Sequence, residues 1–427
     1  MDNKTVKIGD YVKVEKNKTL WEGNIIQINS KSLTLKLKSG YNIGITLDRN
    51  TKIKKIKVGK TRKHKPVEFK LNFDKTKPLI SILSAGGTIA SSIDYSTGAI
   101  SASYSASQLV SSVPELVNFA NIKTKEILEE MSENMIPKHW KKIANSVFKE
   151  LKESEGIVIT HGTDTLSYTS SMLSFMLRNL NKPVIITFAQ KSSDRGSSDA
   201  SMNLICSAIT ATKNIAGIVV VGHGTMSDDY CLINSGTKVR KMHSSQRDSF
   251  RPINCSPIGK VWADGKIKFL GEHKKKEDIK EDCYLDDKIE EKVAIIKFYP
   301  GFNPELLEVY IDKGYKGIII EGTGLGHVNV KDKSLLPKIK RAINEGIAVC
   351  MTTQTIYGKV NPYVYSNLRR LSELGVIYLE DMLTETAYTK LMWVLGHTQN
   401  KEEVKEMMLK NMCGEFNPLM QPNQFLY

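Results

Sequence analysis

The sequence predicts an α/β protein: a body of two α/β domains, a doubly wound parallel sheet and then a smaller C-terminal βα domain, preceded by a small antiparallel β-barrel. Three observations predict it. The first fifty residues alternate apolar and polar side chains between turn residues. From about residue 76 short apolar runs recur, each followed by a loop and a helical stretch, the pattern of a parallel sheet. The charge is also unevenly divided. Residues 1–70 carry 18 Lys+Arg against 6 Asp+Glu, a net of +12, whereas the other 357 carry 43 against 40, a net of +3.

Taken in order, Asp10-Tyr-Val-Lys-Val-Glu, Gly23-Asn-Ile-Ile-Gln-Ile, Ser32-Leu-Thr-Leu-Lys-Leu and Tyr41-Asn-Ile-Gly-Ile-Thr-Leu each put apolar residues on one face, with Asn17, Asn29-Ser30 and Ser39-Gly40 as turns. Residues 52–65 are basic and read as a strand end running into a linker, which closes a first domain at 1–70. Gly59-Lys60-Thr61 is no phosphate loop, because the position five residues before Gly59 is Lys54 rather than glycine. In residues 76–270 the apolar runs 80–83, 157–159, 183–188 and 217–221 read as buried strands, and 139–152 and 167–180 as helices. Residues 271–292 hold 15 charged residues of 22 and read as a connector. Residues 293–412 form the second unit, with strands at 293–298, 317–321 and 347–351 and helices at 385–395 and 402–412; residues 413–427 read as an extended tail.

At 427 residues, 41% hydrophobic and 25% charged, the composition is that of an ordinary globular chain of two or three domains. No apolar run approaches the ~18 residues of a membrane span and the N-terminus has no signal-peptide core, so the cytoplasm is expected. The six cysteines are scattered and the eight histidines show no metal-ligand spacing, which argues against a disulfide framework or a metal centre. The basic first domain has two readings: contact with a polyanion such as RNA, or a solvated lysine-rich surface without the aromatic platform of RNA-binding sheets.

Two segments carry the chemistry. Leu83-Ser-Ala-Gly-Gly-Thr-Ile-Ala-Ser91 and Ile159-Thr-His-Gly-Thr-Asp-Thr-Leu166 each leave a buried strand, turn through glycine and present a threonine. The carboxyl ends of strands are where such sheets hold ligands. A threonine hydroxyl needs a neighbouring base before it attacks. Asp164 follows Thr163, and Lys241 lies in Gly236-Thr-Lys-Val-Arg-Lys-Met-His-Ser-Ser245; together they offer a Thr–Lys–Asp relay. Taken singly, Thr88, Thr163 and Asp164 equally suit helix caps, and Lys241 a surface lysine.

Ala85-Gly-Gly-Thr-Ile-Ala90 and Thr160-His-Gly-Thr-Asp-Thr-Leu166, 75 residues apart, closely resemble the two signature motifs of the bacterial-type L-asparaginases, over about residues 76–410. The resemblance implies Thr88 as first catalytic threonine, on a loop that closes over substrate, Thr163 as the second, and Lys241 with Asp164 as the proton relay. It implies that Asp164 holds the substrate α-ammonium and Ser132 the α-carboxylate. It implies Tyr95 as the loop tyrosine that orients Thr88, with Tyr104 as its competitor for that place. Glu133 stands where free type II enzymes usually carry glutamine, and either meets the substrate ammonium or pairs within the protein. His327 replaces an asparagine of many asparaginases. No metal or organic cofactor is implied in this chain.

The basic first domain, with Ser-Glu-Asn-Met, His-Gly-Thr-Asp-Thr and Val-Arg-Lys-Met-His in the body, is similar over the whole length to the D-subunit family of the archaeal glutamyl-tRNA(Gln) amidotransferases. That resemblance implies a glutaminase that passes ammonia to an E subunit. The E subunit holds ATP and magnesium and amidates Glu-tRNA(Gln), and a homodimer within a heterotetramer is implied. A free-standing cytoplasmic asparaginase or glutaminase is the alternative, and a non-catalytic RNA-binding scaffold a third.

Overall fold

The computed structural model describes residues 6–37, 42–58, 73–87, 89, 91–93, 100–102, 106–193, 197–331, 334–417 and 419–426. Strands Tyr11–Lys16, Thr19–Ile28, Ser32–Leu37, Asn42–Thr46 and Lys52–Lys57 make one antiparallel sheet, with Asn42–Thr46 and Lys52–Lys57 outermost. Irregular pairing at Tyr11/Val12 and Ile25/Gln27 marks the bulges that bend such strands. The alternation seen in sequence becomes a single apolar face: Val12, Val14, Ile25, Leu33 and Leu35 are fully buried against one another. Residues 52–57 are a full strand rather than a strand end.

The body is a mixed eight-stranded sheet. Its parallel part runs Asn121–Glu130, Leu79–Gly86, Gly156–Thr160, Pro183–Thr187, Gly217–His223, after which Cys231–Ser235, Gly259–Val261 and Ile267–Phe269 continue it antiparallel. Strand alternation distributes its side chains to two cores. Ile157 and Ile159 face helices Pro137–Glu150 and Leu166–Met176, whereas Val158 and Ile185 face Ala200–Ala211. Pro137 opens the first of these helices, where a missing N–H costs nothing, and Trp140, Ile143, Ala144 and Val147 form its buried stripe.

A second, parallel sheet, Val293–Lys297, Gly317–Gly322, Ala348–Thr353 and Ile377–Tyr378, carries helices Glu305–Asp312, Leu336–Asn344 and Ser366–Glu373 on one face. Its other face packs on helix Thr384–Leu395, which also lies against Leu166–Met176, so Leu391 and Leu173 share one core with both sheets. Among the described residues no helix is long and apolar enough to cross a membrane.

Two stretches differ from their sequence reading. The charged run 271–292 is tied to the body: Tyr284–Leu285 pairs antiparallel with Leu177–Arg178, and Leu285 and Ile289 pack on the core. The segment 413–417, expected as the start of an extended tail, is instead tied into the body. Glu415 is fully buried, pairs with the buried Lys390 at 2.6 Å and accepts the backbone N–H groups of Met412 and Cys413. A carboxylate buried this deeply is tolerated because its partners are all in place.

Candidate active site

Both motifs leave adjacent strands of the parallel sheet at their carboxyl ends. The first turns at Gly86 and Gly87, both in the left-handed region, and Gly87 N–H donates to Glu130 O at 3.1 Å. A Cβ at Gly87 would stand 2.3 Å from the backbone nitrogen of Gly162. Only glycine lets the two motifs touch main chain to main chain, one residue before Thr88 on one side and one before Thr163 on the other. Thr88, Tyr95 and Tyr104 themselves lie outside the described residues.

Lys241 reaches this point from a two-stranded ribbon, Val239–Lys241 paired with Phe250–Pro252, in which Lys241 stands opposite Phe250. Phe250 in turn packs on Phe188 with ring centroids 4.3 Å apart. The Lys241 Nζ donates to Thr163 Oγ1 at 2.7 Å and to Asp164 Oδ1 at 2.7 Å. Thr163 is buried, whereas the Asp164 side chain is 63% exposed, so one carboxylate faces both the lysine and open solvent. The cap readings of Thr163 and Asp164 are not realised: Thr165 precedes helix Leu166–Met176, and no side chain caps it.

Ser132 sits at the start of a short 3₁₀ turn and is buried. It holds the second motif from below: its Oγ accepts the Asp164 N–H at 3.2 Å and its carbonyl accepts the Thr165 hydroxyl at 2.7 Å. Because Oγ accepts there, its own O–H is left to donate. Glu133 is exposed on the same turn and forms no ion pair among the described residues. His327, in the second half, meets Asn367 Nδ2 through Nδ1 at 3.0 Å and the edge of Tyr365.

His161, inside the second motif, is a buried neighbour of the site that sequence reasoning misses, because a lone histidine after a strand gives little signal. It is fully buried. Its Nδ1 lies 2.7 Å from Gly162 O and its Nε2 3.0 Å from Thr169 Oγ1, which itself accepts Trp140 Nε1–H at 3.0 Å. A carbonyl only accepts, so Nδ1 carries the proton, Nε2 accepts from Thr169, and the ring is neutral. Burial pushes its pKa down to about 4. A depressed value means the stabilisation is whole above the unfolded pKa near 6.5 and fades as pH falls toward 4, by roughly 3 kcal/mol in all. Urea midpoints should therefore fall more steeply over that window in the wild type than in His161→Gln; parallel curves would exclude His161 as the source.

A family profile described as "Asparaginase, N-terminal" matches residues 79–275, "Glutaminase/Asparaginase C-terminal domain" matches 292–408, and "GatD N-terminal domain" matches 6–56. A Pyrococcus furiosus protein, named as the D subunit of glutamyl-tRNA(Gln) amidotransferase, is 51% identical, over 100% of this chain and 98% of its own. The chain belongs to the amidotransferase D-subunit family. A second D subunit, from Methanothermobacter thermautotrophicus, is 43% identical over 98% of this chain and 95% of its own. Among solved structures, the thermostable L-asparaginase of Thermococcus kodakarensis superposes with a TM-score of 0.72 at 35% identity, over 79% of this chain and 99% of that one. L-asparaginase I of Vibrio cholerae gives 0.70 at 27%, over 80% and 99%. The α/β body of this D-subunit family member is thus asparaginase-like, with an antiparallel sheet in front of it.

Proposed function

We propose that this chain is the glutamine-hydrolysing subunit of a tRNA-dependent amidotransferase. The observation that carries the reading is Lys241 Nζ held 2.7 Å from both Thr163 Oγ1 and Asp164 Oδ1, in a chain that aligns end to end with D-subunit relatives. A threonine hydroxyl, Thr88 by preference, adds to the side-chain carbonyl of glutamine and loses its proton toward Thr163 and Lys241. Backbone N–H groups stabilise the oxyanion, the tetrahedral species collapses to an acyl-threonine ester, and the nitrogen leaves as ammonia with a returned proton. Water then releases glutamate and regenerates the hydroxyl. The exposed Asp164 carboxylate suits the substrate α-ammonium; the Ser132 hydroxyl suits its α-carboxylate, and Tyr95 the orientation of Thr88. Glu133, exposed beside Ser132, is a second carboxylate for the same ammonium.

The ammonia goes to an E subunit that uses ATP and magnesium to convert Glu-tRNA(Gln) to Gln-tRNA(Gln) in the cytoplasm, in a heterotetramer built on a homodimer of this chain. This chain needs no cofactor of its own. The purified chain should release ammonia from glutamine slowly and speed up when the E subunit and charged tRNA are added. The full-length likeness of its body to two L-asparaginases favours one rival, a free-standing asparaginase or glutaminase. High activity alone with no stimulation by the E subunit would establish that rival instead.

A further inference from the structure

One strand of the ribbon that carries Lys241 begins on a buried carboxylate from the other half of the chain, and the returning strand is tied to the same carboxylate through Asn417. Lys238, three residues before Lys241 and fully buried, donates from Nζ to Asp381 Oδ2 at 2.7 Å, to Asp381 O at 3.1 Å and to Glu415 O at 3.4 Å. On the returning strand, Ile253 N–H donates to Lys238 O at 2.8 Å, and the next residue, Asn254, is held left-handed at φ +57°. Asn254 exchanges side-chain bonds with Gly358, donating to its O at 3.1 Å and accepting its N–H at 2.9 Å. Asn417 joins the pieces: its N–H meets Asp381 Oδ1 at 3.1 Å, and its Nδ2 meets Asp381 Oδ2 and Asn254 O, each at 2.7 Å.

We propose that Asp381, locked in place by Asn417, is the positioning anchor of Lys241. The anchor stands at the base of the ribbon and Lys241 at its tip, three strand residues or about 10 Å away. Short paired strands tilt as a unit, so a shift at the base is passed to Nζ, which must meet Thr163 Oγ1 and Asp164 Oδ1 together. An ångström at such a group is enough to cost one to two orders of magnitude in rate. Neither Asp381 nor Asn417 hydrogen-bonds Thr163, Asp164 or Lys241 themselves, so both act through the ribbon.

The inference rests on the glutaminase reading for its rate test, and Asn417→Ala is the variant to use. It removes the two Nδ2 bonds yet leaves Asp381 its ion pair with Lys238, so no buried charge is stranded. In the full-length chain kcat for ammonia release should fall about tenfold, with KM for glutamine held within about twofold. The pH profile of kcat should move as the lysine loses its fixed contacts. The rate at which trinitrobenzenesulfonate labels Lys241, followed by peptide mass spectrometry, should rise without any substrate present. A lowered melting temperature with unchanged kcat, pH profile and labelling would mean a structural role only and overturn the proposal. A wild type inert on glutamine and asparagine would sink the glutaminase reading instead, and the labelling rate would then decide for or against the anchor. If Asn417→Ala does not fold, Asn417→Ser is read in the same way.

Discussion

Lys241→Met lowers glutamine-dependent ammonia release by about 10³–10⁴-fold while the protein stays folded. The size follows from the role: a threonine hydroxyl has no useful nucleophilicity until its proton has somewhere to go, and a positioned base is worth about 10²–10⁴ in rate. Methionine keeps most of the stem that fills the space beside Thr163 and removes only the nitrogen that bridges the hydroxyl and Asp164. The carboxylate left behind is 63% exposed and therefore solvated, and losing a partly exposed pair of this kind costs about 1 kcal/mol or less. Steady-state ammonia release and a thermal melt on one preparation check both halves of the expectation. Activity within about tenfold of wild type would remove Lys241 from the reaction.

Gly87→Ala should damage both activity and stability. The left-handed backbone at φ +82° is costly for alanine, about 1–3 kcal/mol. The new methyl would also stand 2.3 Å from Gly162 N, a main-chain atom that no side-chain rotation can move away. The two loops must separate by on the order of an ångström, which at a reacting pair costs about 10²-fold in kcat. Gly346→Ala is the matched control, since its φ is +86° but nothing lies within 4 Å of the added methyl. It should lose stability by the backbone strain alone and keep its activity. Equal activities in the two variants would show that the contact between the motifs is not what aligns them.

The parts of the fold legible in sequence are those whose burial is one-sided or complete. Residues 156–160 and 183–187 are nearly all apolar, and the helix over 137–150 repeats its apolar residues at helical spacing. Other elements hide. Helix Ala200–Ala211 is buried on almost every side, so it has no polar face to set a period. Edge strand Asn121–Glu130 carries Lys123, Lys125 and Glu126, which look like a solvated run until Glu150 is seen to pair with both lysines. In the site, strand–glycine–threonine is a local pattern, which is why Thr163 and Asp164 could be read directly. The relay to Lys241 spans 77 residues; the residues alone offered it but left Lys241 equally suited to the surface, and the resemblance decided between the two. Asp381, Glu415 and Asn417 had no signal at all: charged and amide residues in loops read as surface, and their partners lie as far as 177 positions away.

That long-range seam bears on how such a protein can be inherited. The profile matches suggest three interchangeable pieces, with joints at residues 56–79 and 275–292. The first joint is a clean one: the two L-asparaginases are covered almost whole by about four-fifths of this chain. The second is not. A descendant that exchanged its second half would keep both threonine motifs and the lysine, yet leave Lys238 buried without Asp381. A module can be set in front of this body without touching that seam, whereas any new second half has to bring a carboxylate to Lys238.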